Sequence, residues 1–121
     1  MGADNAKKKI NWERTKAYKD LDTALRDDLE ARGLVGPQYE NQVDMYMTLW
    51  VTTQELRADI KERGVTVAYQ NGASQRGYTD NKSVDKLIRV SAQMLQIWTA
   101  LGYKEMANSD NNPGDGEDDE L

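Results

Sequence analysis

The stretch GASQRGYT, residues 72–79, sets two glycines at the spacing of a phosphate-binding loop, GxxxxGK(S/T), and closes with a threonine. Tyr78 stands where the lysine would be. A nucleotide-binding loop needs that lysine to reach the terminal phosphates, and it joins a buried strand to a helix within a sheet of βαβ units. Here the preceding VTVAY is short and half polar, and no further strands follow to build such a sheet. Two readings remain, an ordinary turn or a loop that approaches the backbone of a nucleic acid. Little else in the chain offers covalent or acid–base chemistry. Cysteine and histidine are both absent, which removes disulfides, thiolate nucleophiles, the commonest general base and the commonest metal ligand. Asp27, Asp28 and Glu30 form a small acidic cluster, but adjacent positions on a helix face apart and no histidine completes a ligand set. We therefore expect no catalytic residue, no metal and no cofactor.

The cations are more informative. At about 100° per residue, Lys82, Lys86, Arg89, Gln93 and Gln96 share one arc of a helix, opposite an apolar seam. Most such stripes are solvated faces. Lysine and arginine interleaved with amides are also what tracks phosphate, since cations neutralise backbone charge and amides donate to phosphate oxygens. Arg76 lies just upstream, between the two glycines. At the N-terminus Lys7, Lys8 and Lys9 form a basic arm of the kind that lies along DNA. At the other end, residues 105–121 hold seven acids and no base, among them Asp115, Glu117, Asp118, Asp119 and Glu120. Removing those charges from the net of −5 leaves the first 104 residues at +2. Residues 64–104 alone carry five bases against two acids.

A length of 121 residues suits one domain with a small core. No apolar run approaches the ~18 residues that a membrane span needs. No apolar stretch follows the N-terminal lysines, so a cytoplasmic setting is expected. The tail NSDNNPGDGEDDEL lacks apolar residues until its last position and cannot build a packed element. The expected organisation is a basic arm over 1–10, a helical domain over 11–104 and an acidic, disordered tail over 105–121.

Period and punctuation place three helices. Trp12, Tyr18, Leu21, Leu25 and Leu29 define the first over about 11–32, with Asn11 as cap and Gly33 as stop. Gly36-Pro37 turns the chain into a second over about 37–63. That helix carries two apolar stripes, Tyr39, Val43, Tyr46 and Trp50 on one and Met45, Leu49, Leu56 and Ile60 on the other. Two stripes suit a helix that packs on two sides, and Tyr46, Met47 and Trp50 are the candidates for contact with a neighbouring subunit. The third helix begins at Asn81 or Ser83, sets Val84, Leu87, Ile88, Ser91, Met94, Leu95, Trp98 and Leu101 on one face, and stops at Gly102. Between the second and third helices Val65, Val67 and Tyr69 alternate with polar or small residues, and Asn71-Gly72 is a favoured turn. A short β-hairpin or an ordered loop is expected there. The fold class is mainly α.

The order of these pieces, with ERG closing the second helix, then YQNGASQRGYTDNKSVDKLIRV and a last helix containing AQMLQIWTALGYK, resembles the small subunit of phage DNA-packaging terminases. The resemblance spans Trp12 to Lys104 and is most specific between Arg63 and Gly102. It implies a non-enzymatic homo-oligomer that forms a ring in the host cytoplasm, binds viral double-stranded DNA and recruits the terminase large subunit, which holds the motor and nuclease. On that reading Arg76, Lys82, Lys86, Arg89 and the N-terminal lysines contact DNA, and the acidic tail docks the large subunit. Two other classes fit the same residues: a small helical transcription regulator, and an adaptor that acts through its acidic tail without touching DNA.

Overall fold

Thr15 opens the first helix. Its hydroxyl donates to the Trp12 carbonyl at 2.6 Å and accepts from the Tyr18 N–H at 3.2 Å, so one side chain closes a 3-10 turn over Trp12–Arg14 and caps α1, Lys16–Ala31. The expected cap, Asn11, makes no side-chain capping bond; the helix starts five residues later than the period suggested because threonine satisfies the free N–H groups better there. The computed structural model describes residues 9–103. Leu25 and Leu29, one helical turn apart, are the buried positions of α1. On the other side of that turn the Arg26 guanidinium bridges Asp22, at 3.0 Å, and Glu40 in the first turn of the next helix. Gly33 takes φ 77° and stops α1 as expected.

The second helix, α2, runs over Pro37–Arg63. The Gly36 carbonyl accepts from the N–H groups of Tyr39 and Glu40. Val43 and Met47 are closed from solvent, Leu49, Leu56 and Ile60 are half-buried, and Met45 is 55% exposed. Apolar residues therefore stand around most of its circumference. The boundary between two compact units falls inside this helix, between Val43 and Asp44.

Gly64, with φ 87°, ends α2 and leads into an antiparallel hairpin of β1, Thr66–Asn71, and β2, Gln75–Asp80. Asn71 is the last paired residue of β1, opposite Gln75, and Gly72 with φ 71° opens a three-residue connection. The connection thus begins one residue after the expected start at Asn71 and is three residues long. The third helix, α3, covers Lys82–Ala100, with Asn81 as its cap and Gly102 beyond its end. The expectation of three helices with a hairpin between the second and third matches this arrangement.

Within the unit from Asp44 onward, Trp98 stacks on Tyr103 with ring centroids 4.3 Å apart and meets Tyr46 at 5.9 Å. Leu101 and Tyr103 are buried with them. The inner face of α3 is turned relative to the expected seam. Val90 and Ile97, not placed on that seam, are half-buried, whereas Ile88 and Leu95 are 64% and 63% exposed. The apolar arc of α3 is wider than one chain covers, and periodicity alone does not say which part of it turns inward.

Candidate nucleic-acid interface

The hairpin is held at its neck by a polar clasp. Asp59, one turn before the end of α2, accepts from Arg63 Nε at 2.7 Å and Nη2 at 2.8 Å, from Ser83 Oγ at 2.7 Å and from Asn81 Nδ2 at 3.1 Å. Asn81 Nδ2 also donates to the Gly64 carbonyl at 2.8 Å, while its Oδ1 accepts from the Ser83 N–H at 2.9 Å and from Arg63. The Asn81 backbone N–H closes the neck on the Val65 carbonyl. One buried amide thus caps α3, satisfies the last carbonyl of the α2 stop and ties both to α2. The bonds from Arg63, then those from Ser83 and Asn81, hold the Asp59 carboxyl well below the usual carboxylate range.

Beyond this neck the two strands alternate their side chains across two faces. Tyr69 pairs with Gly77, and its ring lies where a β-carbon on Gly77 would be, 3.2 Å from Tyr69 Cε1. The backbone at Gly77 is therefore not open to close approach on this side, since Tyr69 covers it. The opposite face pairs Gln70 with Arg76 and Ala68 with Tyr78. GASQRGYT consequently spans a turn and a return strand, not a strand-to-helix junction, and the antiparallel pair cannot supply the parallel sheet of a nucleotide loop.

Arg76, Lys82, Lys86 and Arg89 are all exposed. Ion pairs engage Lys16, Arg26, Arg32 and Arg63 with nearby acids, but among the described residues no acid reaches the four cations of the hairpin and α3. Arg57 and Lys61 lack a bridge too; Glu55, Asp59 and Glu62 stand beside them along α2, as Asp85 stands among Lys82, Lys86 and Arg89 along α3. Lys9 is exposed; Lys7, Lys8 and the five acids Asp115, Glu117, Asp118, Asp119 and Glu120 lie outside the described residues. Among those described, no group of acids is placed to hold a metal and no helix is long and apolar enough to cross a membrane.

A second feature is a groove of about 420 Å³ between α2 and α3, lined by Tyr46, Trp50, Thr53, Met94, Leu95 and Trp98 among others. Burial pushes the Tyr46 phenol upward from its ordinary pKa. Tyr46 and Trp50 keep part of their surface open, but Met47 is 1% exposed. Met47 belongs to the core of the single chain, because α2 turns it inward.

Residues 17–117 match the family described as phage terminase, small subunit. The chain belongs to that family. Its place is therefore in phage DNA packaging, as the resemblance implied. No curated protein and no solved structure matches it. For this terminase small subunit the sequence pointed to the cations and offered Asn81 or Ser83 as the start of the last helix. It did not point to Asp59, whose partners Asn81 and Ser83 lie 22 and 24 residues along the chain. Asp59 and Arg63 do stand at the i,i+4 spacing of an ion pair, but that spacing is common on helices.

Proposed function

We propose that this chain is the DNA-recognition subunit of a packaging terminase, without enzymatic activity of its own, and that it binds viral double-stranded DNA through the hairpin and the polar side of α3. The observation that carries this reading is the group of four cations that meet no acid among the described residues, Arg76, Lys82, Lys86 and Arg89, on elements fixed by the Asp59–Asn81 clasp. Their contacts are chiefly to phosphates. Lysine and arginine that are not already neutralised within the chain retain their full counterion release for an external polyanion. Lys7, Lys8 and Lys9 add to the same contact.

The subunit acts as a homo-oligomeric ring. Supporting this are the half-open groove between α2 and α3 and the exposed Ile88 and Leu95, more apolar surface than one chain covers; a ring joins different surfaces of each copy. The acidic tail recruits the large subunit. The deciding experiment measures binding of a mixed-sequence DNA duplex at a series of salt concentrations. Wild type is expected to show a steep negative slope of log K against log salt. Arg76→Ala with Lys82→Ala is expected to reduce that slope by about 0.9 for each phosphate that a bound subunit no longer neutralises. An unchanged slope in an intact assembly removes the hairpin from the interface.

A further inference from the structure

We infer that Tyr78 makes a direct, uncharged contact with duplex DNA, and that Tyr78, Arg76 and Gln70 form the contacting face of the hairpin. This rests on the DNA-binding reading above and adds to it a residue and a side. The register decides the side. Tyr69 and Gly77 cover each other on one face, so that face is partly filled by the hairpin's own ring. On the other, Tyr78 stands opposite Ala68, too small to cover a phenol, and is 78% exposed. Arg76 lies two residues back along the same strand, hence on the same face at about 7 Å, and Gln70 faces it across the ladder. A ring, a guanidinium and an amide thus stand together on an outward surface.

Tyrosine is enriched at interfaces, where its ring supplies apolar area and its hydroxyl a polar handle. The local charge selects the partner. Arg76 meets no acid among the described residues, and Lys82, Lys86 and Arg89 follow on α3. The only acid of the two strands is Asp80, on the same face at the neck end of β2. Tyr78 and Arg76 lie two and four residues from it toward the tip of the ribbon, and the cations of α3 follow beyond it. A two-stranded ribbon has a width that the major groove admits. There the ring can lie on sugar or thymine methyl groups while Arg76 takes a phosphate or a base edge. Such a contact displaces no counterions, so it changes affinity without changing salt dependence.

The test uses the full chain and a fluorescein-labelled duplex of mixed sequence, with assembly mass measured in parallel. Tyr78→Ala is expected to weaken binding about fivefold or more per engaged subunit while leaving the salt slope and the assembly mass unchanged. Tyr78→Phe should retain most of the affinity, because the ring carries the contact. The position is exposed, so neither variant should disturb folding, and circular dichroism checks this. Salt-dependent wild-type binding that Tyr78→Ala leaves unaltered overturns the inference and leaves the DNA reading standing. A fall in assembly mass in Tyr78→Ala overturns it in favour of a protein contact. Absence of salt-dependent binding in wild type overturns the reading itself, and the inference falls with it.

Discussion

Asn81 divides one side chain among four partners, and its chemistry leaves no equivalent substitute. Its amide nitrogen donates to Asp59 and Gly64 while its oxygen accepts from Ser83 and Arg63. Asn81→Ala loses the helix cap and strands the Gly64 carbonyl, and should cost about 2 kcal/mol in chemical denaturation. Asn81→Asp keeps the shape and the cap oxygen but cannot donate and sets a second carboxylate against Asp59. It should be at least as destabilising as the alanine, whereas a purely steric role would make it the milder change. The pH dependence of the clasp follows from the same contacts. A carboxyl held below its ordinary value contributes stability above the ordinary carboxylate range, and that contribution is lost progressively as pH falls from there through the depressed folded value. Amide-exchange protection of residues 66–80, corrected for intrinsic rates, should therefore be level between about pH 8 and 5 and decline steadily below that. A cap at Asn81 or Ser83 was legible in the sequence because capping is local, and the structure takes Asn81. Asp59 was not, since its role depends on contacts across more than twenty residues that no period encodes.

At the scale of elements, period and punctuation located all three helices, and positive-φ glycines at 33, 64 and 102 marked their ends as expected. What they did not fix was rotation. The apolar arc of α3 spans from Val90 and Ile97 round to Ile88 and Leu95, and only packing decides which edge is covered. That distinction separates two kinds of variant. Met47→Glu places a charge where the chain is closed to solvent and should abolish cooperative folding, since such a burial costs more than a small domain can lose. Ile88→Glu with Leu95→Glu alters residues already more than half in water. It should leave helix content and thermal midpoint within the small range of surface changes, while lowering the mass of the native assembly by light scattering. A dissociated but folded double variant identifies this edge of α3 as the subunit contact. Unchanged mass assigns the assembly to another surface. The hairpin shows the same limit at smaller size, for its existence was readable but its faces depended on the length and register of the turn, which spans 72–74.

For the whole molecule the decisive quantity is the distribution of charge, since a net of −5 conceals a chain that is +2 before its last 17 residues. An anionic segment tethered to a cationic surface competes with phosphate. Deleting residues 105–121 should therefore raise the affinity for non-specific duplex at low salt, with little effect on thermal stability, and should reduce recruitment of the large subunit. Equal affinity with and without the tail separates the two charge regions functionally. The connectors add a consequence for chain length. Two residues, Gly64 and Val65, join α2 to β1, and Asn81 alone joins β2 to α3. The turn at 72–74, by contrast, is exposed throughout and leaves nothing within 4 Å of a β-carbon at Gly72. Tolerance of insertions should be sharply uneven within this one excursion. A short peptide epitope placed between Ala73 and Ser74 should be accommodated with the fold intact, while one extra residue between Asp80 and Asn81 should displace the amide from all its partners at once. The hairpin is in that sense a graft site at its tip and an indel barrier at its root.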